Sequence, residues 1–422
     1  MANITPFRAL RFTAGAGDID ELCCPPYDII SDDQRRAFLG TNEKNIIRLE
    51  LPREGENPYA VAGDTLKAWL ASGALKQDDV PSLYIYQEEF VAYGKPYTLR
   101  GFTCTVELQP FSAGVVLPHE ETLSKAKEDR FNLMCATGCN FSQIYSLYDD
   151  PDRAVDAILD KFCNAEPTAR FTDADDVIHS LLAVPDCDDV RTVCRLFEDK
   201  KLYIADGHHR YETALRYRDH LRDAGGDTGS SDRVMMFLCA MQNDGLVVFP
   251  THRVIHNIDG FDSAAFLKDA AAVCDVCPLD NFDEIEPRLA AVYAAGGKAF
   301  GYYDGKTAAL LTVSDLDQMK TVLPNASKSL RELDVTLLHS LLLERLCGID
   351  KAAMAAGGKL TYTRDAAEAK VLTDGGADAC FILNPTRVTE ISAVAREGEK
   401  MPQKSTYFYP KLITGLTMNK LL

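Results

Sequence analysis

The sequence predicts an α/β fold with mixed sheets, α+β in places, and three observations carry that reading. Short apolar runs bounded by Gly, Pro, Asn and Asp alternate with longer stretches whose apolar residues recur at helical spacing. Two pairs of runs, joined at Tyr93-Gly94 and Asp304-Gly305, read as antiparallel hairpins, whereas a run, a helix and a further run read as a βαβ crossover. A chain of 422 residues with 46% apolar residues is long enough for two or three domains with cores of their own. The expected division is 1–258 and 259–422, each part α/β, with the closing segment able to return to the first.

Residues 7–12 are strand-like, and the two prolines of Cys23-Cys24-Pro25-Pro26-Tyr27-Asp28 forbid helix there. Ser31 reads as the cap of a helix over 33–39. Residues 45–51 alternate as a strand, and 59–72 carry apolar residues at helical spacing closed by Gly73. Strands are expected at 82–91 and 96–108, then a polar stretch at 117–130 that leads into a helix. Residues 141–147 read as strand, 151–163 as helix, 169–184 as strand and loop, and 188–199 as helix. Leu202 to Ala205 form a buried strand, Asp206-Gly207 make a turn, and a helix runs from that turn to residue 224. A disordered-looking patch at 227–232 precedes an apolar run at 233–241, and Asn243-Asp244-Gly245 marks a hairpin to 246–250. Beyond it come helices at 263–273 and 283–295, a hairpin over 299–313, a helix at 335–346, and a βαβ-like unit from 361 to 397.

Composition narrows the classes. No stretch approaches the ~20 uncharged apolar residues of a membrane span, and the N-terminus lacks a signal peptide's basic and apolar regions, so a cytoplasmic protein is expected. A net charge of −18 spread along the chain opposes a nucleic-acid surface, which needs a basic face. Small anions remain suitable ligands, and a homodimer is left open. The thirteen cysteines, odd in number and scattered, do not form a disulfide framework, and Cys274 and Cys277 alone are weak evidence for zinc.

The chemistry concentrates at Asp206-Gly207-His208-His209-Arg210. The first turn of a helix has unpaired N–H groups and a positive dipole end, which attract anions. Gly207 lets a ligand approach the backbone, Arg210 offers a planar fork matched to phosphate, and Asp206 can cap the helix or hold Mg²⁺. Glu212 lies one turn from His208, so a metal site is also conceivable. His119-Glu120 with Lys125, Lys127 and Arg130 forms a second concentration of titratable groups. Thr251-His252-Arg253 is expected at the end of the 246–249 strand, where open sheets place ligand groups. Lys404-Ser405-Thr406 and Lys411 can clamp an anion, and Asp28 is a rigid loop carboxylate suited to a general base.

These motifs resemble, in order, those of domain-of-unknown-function family 1015: Pro26-Tyr27-Asp28, Pro118-His119-Glu120, Lys127-Glu128-Asp129-Arg130, Asp206 to Tyr211, Pro250-Thr251-His252-Arg253 and Met401 to Thr406. More distantly, Asp206, Gly207, His208 and Arg210 resemble the Asp-Gly-His-x-Arg turn of ParB-like free serine kinases. That resemblance implies a ParB/serine-kinase-like N-terminal part and a phosphotransferase acting on an alcohol, free L-serine giving O-phosphoserine. It implies ATP, ADP or pyrophosphate as donor, with Mg²⁺ bridging. Asp206, His208, His209 and Arg210 would hold donor phosphates, with Lys127 and Arg130 nearby. His252, Arg253 and Lys404, flanked by Thr251, Ser405 and Thr406, would stabilise the moving phosphoryl group, with His119 beside them. Asp28 or Glu120 would accept the hydroxyl proton. Two other classes compete: a nucleotide-binding ParB-like switch, and a metal-dependent hydrolase or phosphatase using His208, His209 and Glu212. Arg210→Ala is expected to weaken phosphate binding with the melting temperature nearly unchanged.

Overall fold

The computed structural model describes residues 1–122, 124–226 and 229–421. Two compact units divide the chain. One takes Met1–Pro118, Thr122–Val247 and Pro410–Leu422, the other His119–Glu121 and Val248–Tyr409. The class is α/β with mixed sheets. The chain passes between units ahead of residue 258 because His252–Ile255 is an interior strand of the second unit's sheet.

The first unit is built on a sheet of nine strands among the described residues. Its order runs Val116–Leu117, Leu202–Asp206, Ile144–Tyr148, Arg233–Ala240, Lys95–Glu107, Ser82–Ala92, Ile178–Pro185 and Ala169–Thr172, with Ile4–Thr5 added alongside Lys95–Glu107. Leu202–Asp206 pairs parallel with Val116–Leu117 and antiparallel with Ile144–Tyr148, so the sheet is mixed at the strand that carries the turn. The long hairpin turns at Tyr93 and Gly94, both left-handed at φ 50 and 69, as a two-residue loop between right-twisted strands requires. Helices Asp188–Leu196 and His208–Asp223 bury Val190, Val193, Tyr211, Ala214 and Tyr217 against Phe102, Ile144, Ile204 and Met236 of the sheet. Each large side chain so buried contributes roughly 1.5–3 kcal/mol.

A second cluster joins the N-terminal helices to the end of the chain, with Ile46, Leu49, Leu66, Trp69 and Met418 in contact. Ser31 caps Asp32–Thr41 in a capping box with Gln34, as the sequence suggests. The strand expected at 45–51 is instead a short helix, Ile47–Glu50. The Asn45 side chain decides this: its oxygen accepts from the Ile47 N–H, and its amide donates to the Glu21 and Cys23 carbonyls. That local competition for backbone partners outweighs the alternation of apolar residues. No hairpin links 233–241 to 246–250 either. Arg233–Ala240 pairs with Ile144–Tyr148 and Lys95–Glu107, while Val247–Phe249 pairs with Tyr407–Tyr409. Of the patch expected to be disordered, Gly229–Asp232 forms a 3₁₀ turn; residues 227 and 228 lie outside the described residues, as does 123 in the polar stretch.

The second unit has a six-stranded sheet in the order Asp275–Leu279, Ala308–Thr312, Ala299–Tyr303, Ala379–Ile382, His252–Ile255 and Leu360–Thr363. His252–Ile255 lies between Leu360–Thr363 and Ala379–Ile382 and is antiparallel to both. The expected βαβ unit is therefore split by an inserted strand. Asp275–Leu279 carries no strand signal in the sequence; it is an edge strand, which tolerates Pro278. The expected helix at 335–346 contains a π-helical stretch, Leu338–Leu343, between α-helical turns. Among the described residues no helix is long and apolar enough to cross a membrane.

Candidate functional site

In the first unit, the strand–turn–helix around Asp206 is shaped by two backbone irregularities. The register slips between Ile204, opposite Ser146, and Asp206, opposite Tyr145; such a bulge re-aims the side chains beyond it. Gly207 comes next, in the left-handed region at φ 94, and starts His208–Asp223, whose first turn has neither a side-chain cap nor an acidic residue. Tyr211 pins that turn by donating from its hydroxyl to the Gln109 carbonyl at 2.7 Å.

Asp206 is held on both oxygens. Oδ1 accepts from Lys411 Nζ at 2.8 Å and Oδ2 from Arg210 Nη2 at 2.6 Å. Burial alone would raise its pKa, but Lys411 and Arg210 overcome that and hold the carboxyl well below the usual range. Arg210 also donates through Nη1 to the Gln143 carbonyl at 2.5 Å, and its guanidinium lies over Gly207, where a Cβ would stand 2.9 Å from Nε. Burial opposes the charge on Arg210, yet Asp206 and Asp28 keep it firmly protonated. Arg210 is thus part of the turn's own scaffold, and Arg210→Ala would strand the Asp206 carboxylate on Lys411 alone. The melting temperature of that variant should therefore fall, contrary to the expectation from sequence.

Asp28 is exposed on the Tyr27–Ile29 turn, and its charge bears on both Arg210 and His209. Burial lowers the His209 pKa, with Lys127 and Arg210 adding to it against Asp28 and Glu212. At neutral pH this shift favours the uncharged imidazole. His208 is buried at 3% exposure. Lys127 donates to Glu212 at 2.7 Å, and Glu212 also accepts from Thr122 at 3.0 Å. Arg130 stacks 4.0 Å from the Tyr27 ring centroid and donates to the Glu50 carbonyl at 2.6 Å and to Asp129. These contacts make it a support for the Tyr27-Asp28 turn. Glu50, with Ser142 donating to its Oε1 at 2.9 Å, joins Arg130 and Arg210 around a small cavity of about 40 Å³. Neither Glu50 nor Gln143 stands out in the sequence; the one signal for Glu50 is a lone acid in an apolar run.

In the second unit, three of the sequence motifs meet. His119 Nε2 lies 3.2 Å from Thr406 Oγ1, and its carbonyl accepts from the Met401 N–H at 2.7 Å. Glu120 Oε1 accepts from the Lys404 N–H at 3.3 Å, and Lys404 adopts a left-handed φ of 56. Arg253 Nη2 donates to the Lys404 carbonyl at 3.1 Å and Nη1 to the Thr251 carbonyl. Ser405 turns back on the Pro402 carbonyl. Thr251 precedes and His252 opens an interior strand, rather than lying at the end of 247–249. His252 Nδ1 accepts from the Leu383 N–H at 3.1 Å, and burial, then Arg253, pushes its pKa down to about 4. It is a neutral core histidine and supplies no cation.

The fold and the first-unit turn define a class: an α/β protein with mixed sheets and a strand-to-helix junction opened by a left-handed glycine. The chain belongs to a protein family of unknown function, DUF1015, which it matches over residues 4–336. No curated protein matches it. Solved structures similar to it include a free serine kinase variant in complex with ADP, at TM-score 0.39 and 12% identity, covering 76% of this chain and 91% of that one. A conserved hypothetical protein from Pyrococcus furiosus has TM-score 0.37 and 14% identity, covering 76% and 95%. SbnI from Staphylococcus aureus has TM-score 0.34 and 10% identity, covering 75% and 86%.

Proposed function

We propose that this protein is a small-molecule phosphotransferase that moves a phosphoryl group from ATP, ADP or pyrophosphate to the hydroxyl of free L-serine, giving O-phosphoserine. The observation that supports the reading is the Gly207 junction: a left-handed glycine, an uncapped first turn without acidic residues, and a guanidinium fixed beside it. Phosphoryl transfer asks mainly for positioning and charge neutralisation, and the amide dipoles of that turn supply both. In this reading Asp206 is the anchor that Lys411 and Arg210 converge on, and His209 donates a neutral hydrogen bond. Serine as acceptor rests on the resemblance of the Asp206–Arg210 motif to the serine-kinase turn.

Asp28 is the base. Its carboxylate is exposed and makes no hydrogen bond among the described residues. The serine hydroxyl oxygen attacks the terminal phosphorus, the donor's bridging P–O bond breaks, and the hydroxyl proton passes to Asp28. Glu120, occupied by the Lys404 backbone, holds a loop in the second unit. Asp206 does not fit as a direct Mg²⁺ ligand, because both oxygens are taken by cations. A divalent ion would arrive on the donor phosphates, as Mg²⁺ commonly does. The metal-hydrolase alternative gains no support: among the described residues no group of three His, Cys, Asp or Glu is placed to hold a metal.

The test is incubation of the full chain with serine, Mg²⁺ and each donor in turn, with mass spectrometry for O-phosphoserine. Product with one donor, lost in Asp28→Asn, is the expected result. No product with any of the three would end the proposal.

A further inference from the structure

In the first unit, one face of the long hairpin changes character along its length. The cross-strand partners Ile85 and Phe102 belong to the core, and the next pair on that face, two residues along, is Gln87 and Arg100. A cavity of about 420 Å³ opens there, between the hairpin, the start of helix Ala154–Leu159 and the Asn243-Asp244-Gly245 turn. That volume falls within the range of small-molecule sites. The turn is pressed onto the strand: a Cβ on Gly245 would stand 2.0 Å from the Thr98 carbonyl oxygen, and Asn243 Nδ2 donates to the Arg100 carbonyl at 3.2 Å. This wall of the cavity is therefore preformed.

Arg100, Arg153 and Asp156 all line this one cavity, and each has bonding capacity to spare. Asp156 is 8% exposed and has no hydrogen-bond partner among the described residues, where a buried polar group is normally paired. Burial raises its pKa against the pull of Arg100. Arg153 and Asp156 lie three residues apart at the helix start, a spacing that makes them neighbours on one face. Arg100 donates through Nη2 to Asp160 at 2.6 Å. Arg153 donates through Nη2 to the Gln242 carbonyl at 2.9 Å and to Asp244 at 3.2 Å. A guanidinium has five N–H donors, so Nε and Nη1 of both arginines keep unused donors among the described residues. A simple anion would meet the Asp156 carboxylate here, and a metal ion would meet two guanidiniums. A ligand carrying both signs satisfies all three groups.

We propose that this cavity binds a small zwitterion, an α-amino acid, whose ammonium group donates to Asp156 and whose carboxylate accepts from Arg100 and Arg153. Thr98, Gln87 and Asn243 line the remaining space with polar groups. The site does not depend on the phosphotransferase reading, since none of its residues belongs to the Asp206 turn.

The experiment is calorimetric titration of the full chain with L-alanine and L-serine at fixed ionic strength, with acetate and ethylamine as the two halves of the zwitterion. The variants are Asp156→Asn, which keeps the shape and removes the charge, and Arg100→Gln. Saturable binding of at least one amino acid is expected, weakened about tenfold to a hundredfold in each variant, as one lost charge-assisted contact implies, and retained in Arg210→Lys. Absence of binding of both amino acids, or a variant that binds as the wild type does, would overturn the site. Acetate or ethylamine binding as tightly as the amino acid would refute a zwitterion as the ligand. Should Asp156→Asn or Arg100→Gln fail to fold, Arg153→Gln, at a half-exposed position, takes its place. Binding lost in Arg210→Lys but intact in Asp156→Asn would assign the amino acid to the Asp206 turn and refute this second site.

Discussion

Gly207→Ala puts the geometry of the turn to a quantitative test. At φ 94 an alanine costs about 1–2 kcal/mol in backbone strain alone. The added Cβ would also stand 2.9 Å from Arg210 Nε and 3.0 Å from Cζ and Nη2, so the guanidinium must move. Moving it loosens its hydrogen bonds to Asp206 and to the Gln143 carbonyl, and losing one such charge-assisted bond costs about 1.5–3 kcal/mol. The sum is about 2.5–5 kcal/mol, or a fall in Tm of about 5–20 °C for a unit of this size. Gly225→Ala is the control. It too is left-handed, at φ 70, but its Cβ would meet nothing within 4 Å, so only the backbone cost applies. Scanning calorimetry of both variants isolates the Arg210 displacement as the difference. If Gly207→Ala is no worse than Gly225→Ala, the packing of Arg210 over the glycine does not hold the turn.

Three further residues give tests of their own. Glu88 is fully buried, accepts from the Tyr86 hydroxyl at 2.8 Å, and is raised by burial to about 7 against the opposing pull of His179. A folded-state pKa above the unfolded value of 4.5 means the folded protein keeps a proton that the unfolded chain releases. Stability should therefore fall by about 2–4 kcal/mol as pH rises from about 4.5 to about 7, and Glu88→Gln should flatten that slope in calorimetric scans; a slope that persists refutes the assignment. Gly101→Ala would set a Cβ 2.3 Å from the Leu238 carbonyl oxygen and 2.5 Å from the Phe237 ring. It should destabilise by about 1–3 kcal/mol or more, read from denaturant midpoints. Asp28→Asn, on an exposed turn, should leave Tm nearly unchanged but lower kcat for serine phosphorylation by about 10²–10⁴; a variant as active as wild type would remove Asp28 from the chemistry.

Most elements are legible in the sequence because their signals are local. The Ser31 capping box, the Tyr93-Gly94 turn and the apolar strand before Asp206 each lie within a few residues and agree with the fold around them. Residues 45–51 mislead because alternation records which side chains are buried, and it does not record that Asn45 takes the backbone partners a strand needs. Pairing across distance is illegible as well: nothing near Val247–Phe249 signals that its partner is Tyr407–Tyr409. The same applies at the site. Asp206, Gly207 and Arg210 announce themselves by proximity, and Lys404 meets His119, Glu120 and Arg253 only once the second unit has folded. Lys411 is visible as a cation in a clamp-like segment, but its role on Asp206 requires the chain end to return to the first unit. His252 shows the opposite failure, since a prominent motif position is occupied by a core histidine with a backbone partner.

The most direct measurement of the central claim is calorimetric titration of the full chain with ADP and with pyrophosphate, set against Arg210→Lys. That variant keeps a cation near Asp206 and removes the fork. Saturable binding of at least one ligand, weakened about tenfold or more in Arg210→Lys, is what an anion site at the Gly207 junction predicts. Binding of neither ligand, or equal binding by both proteins, would contradict it.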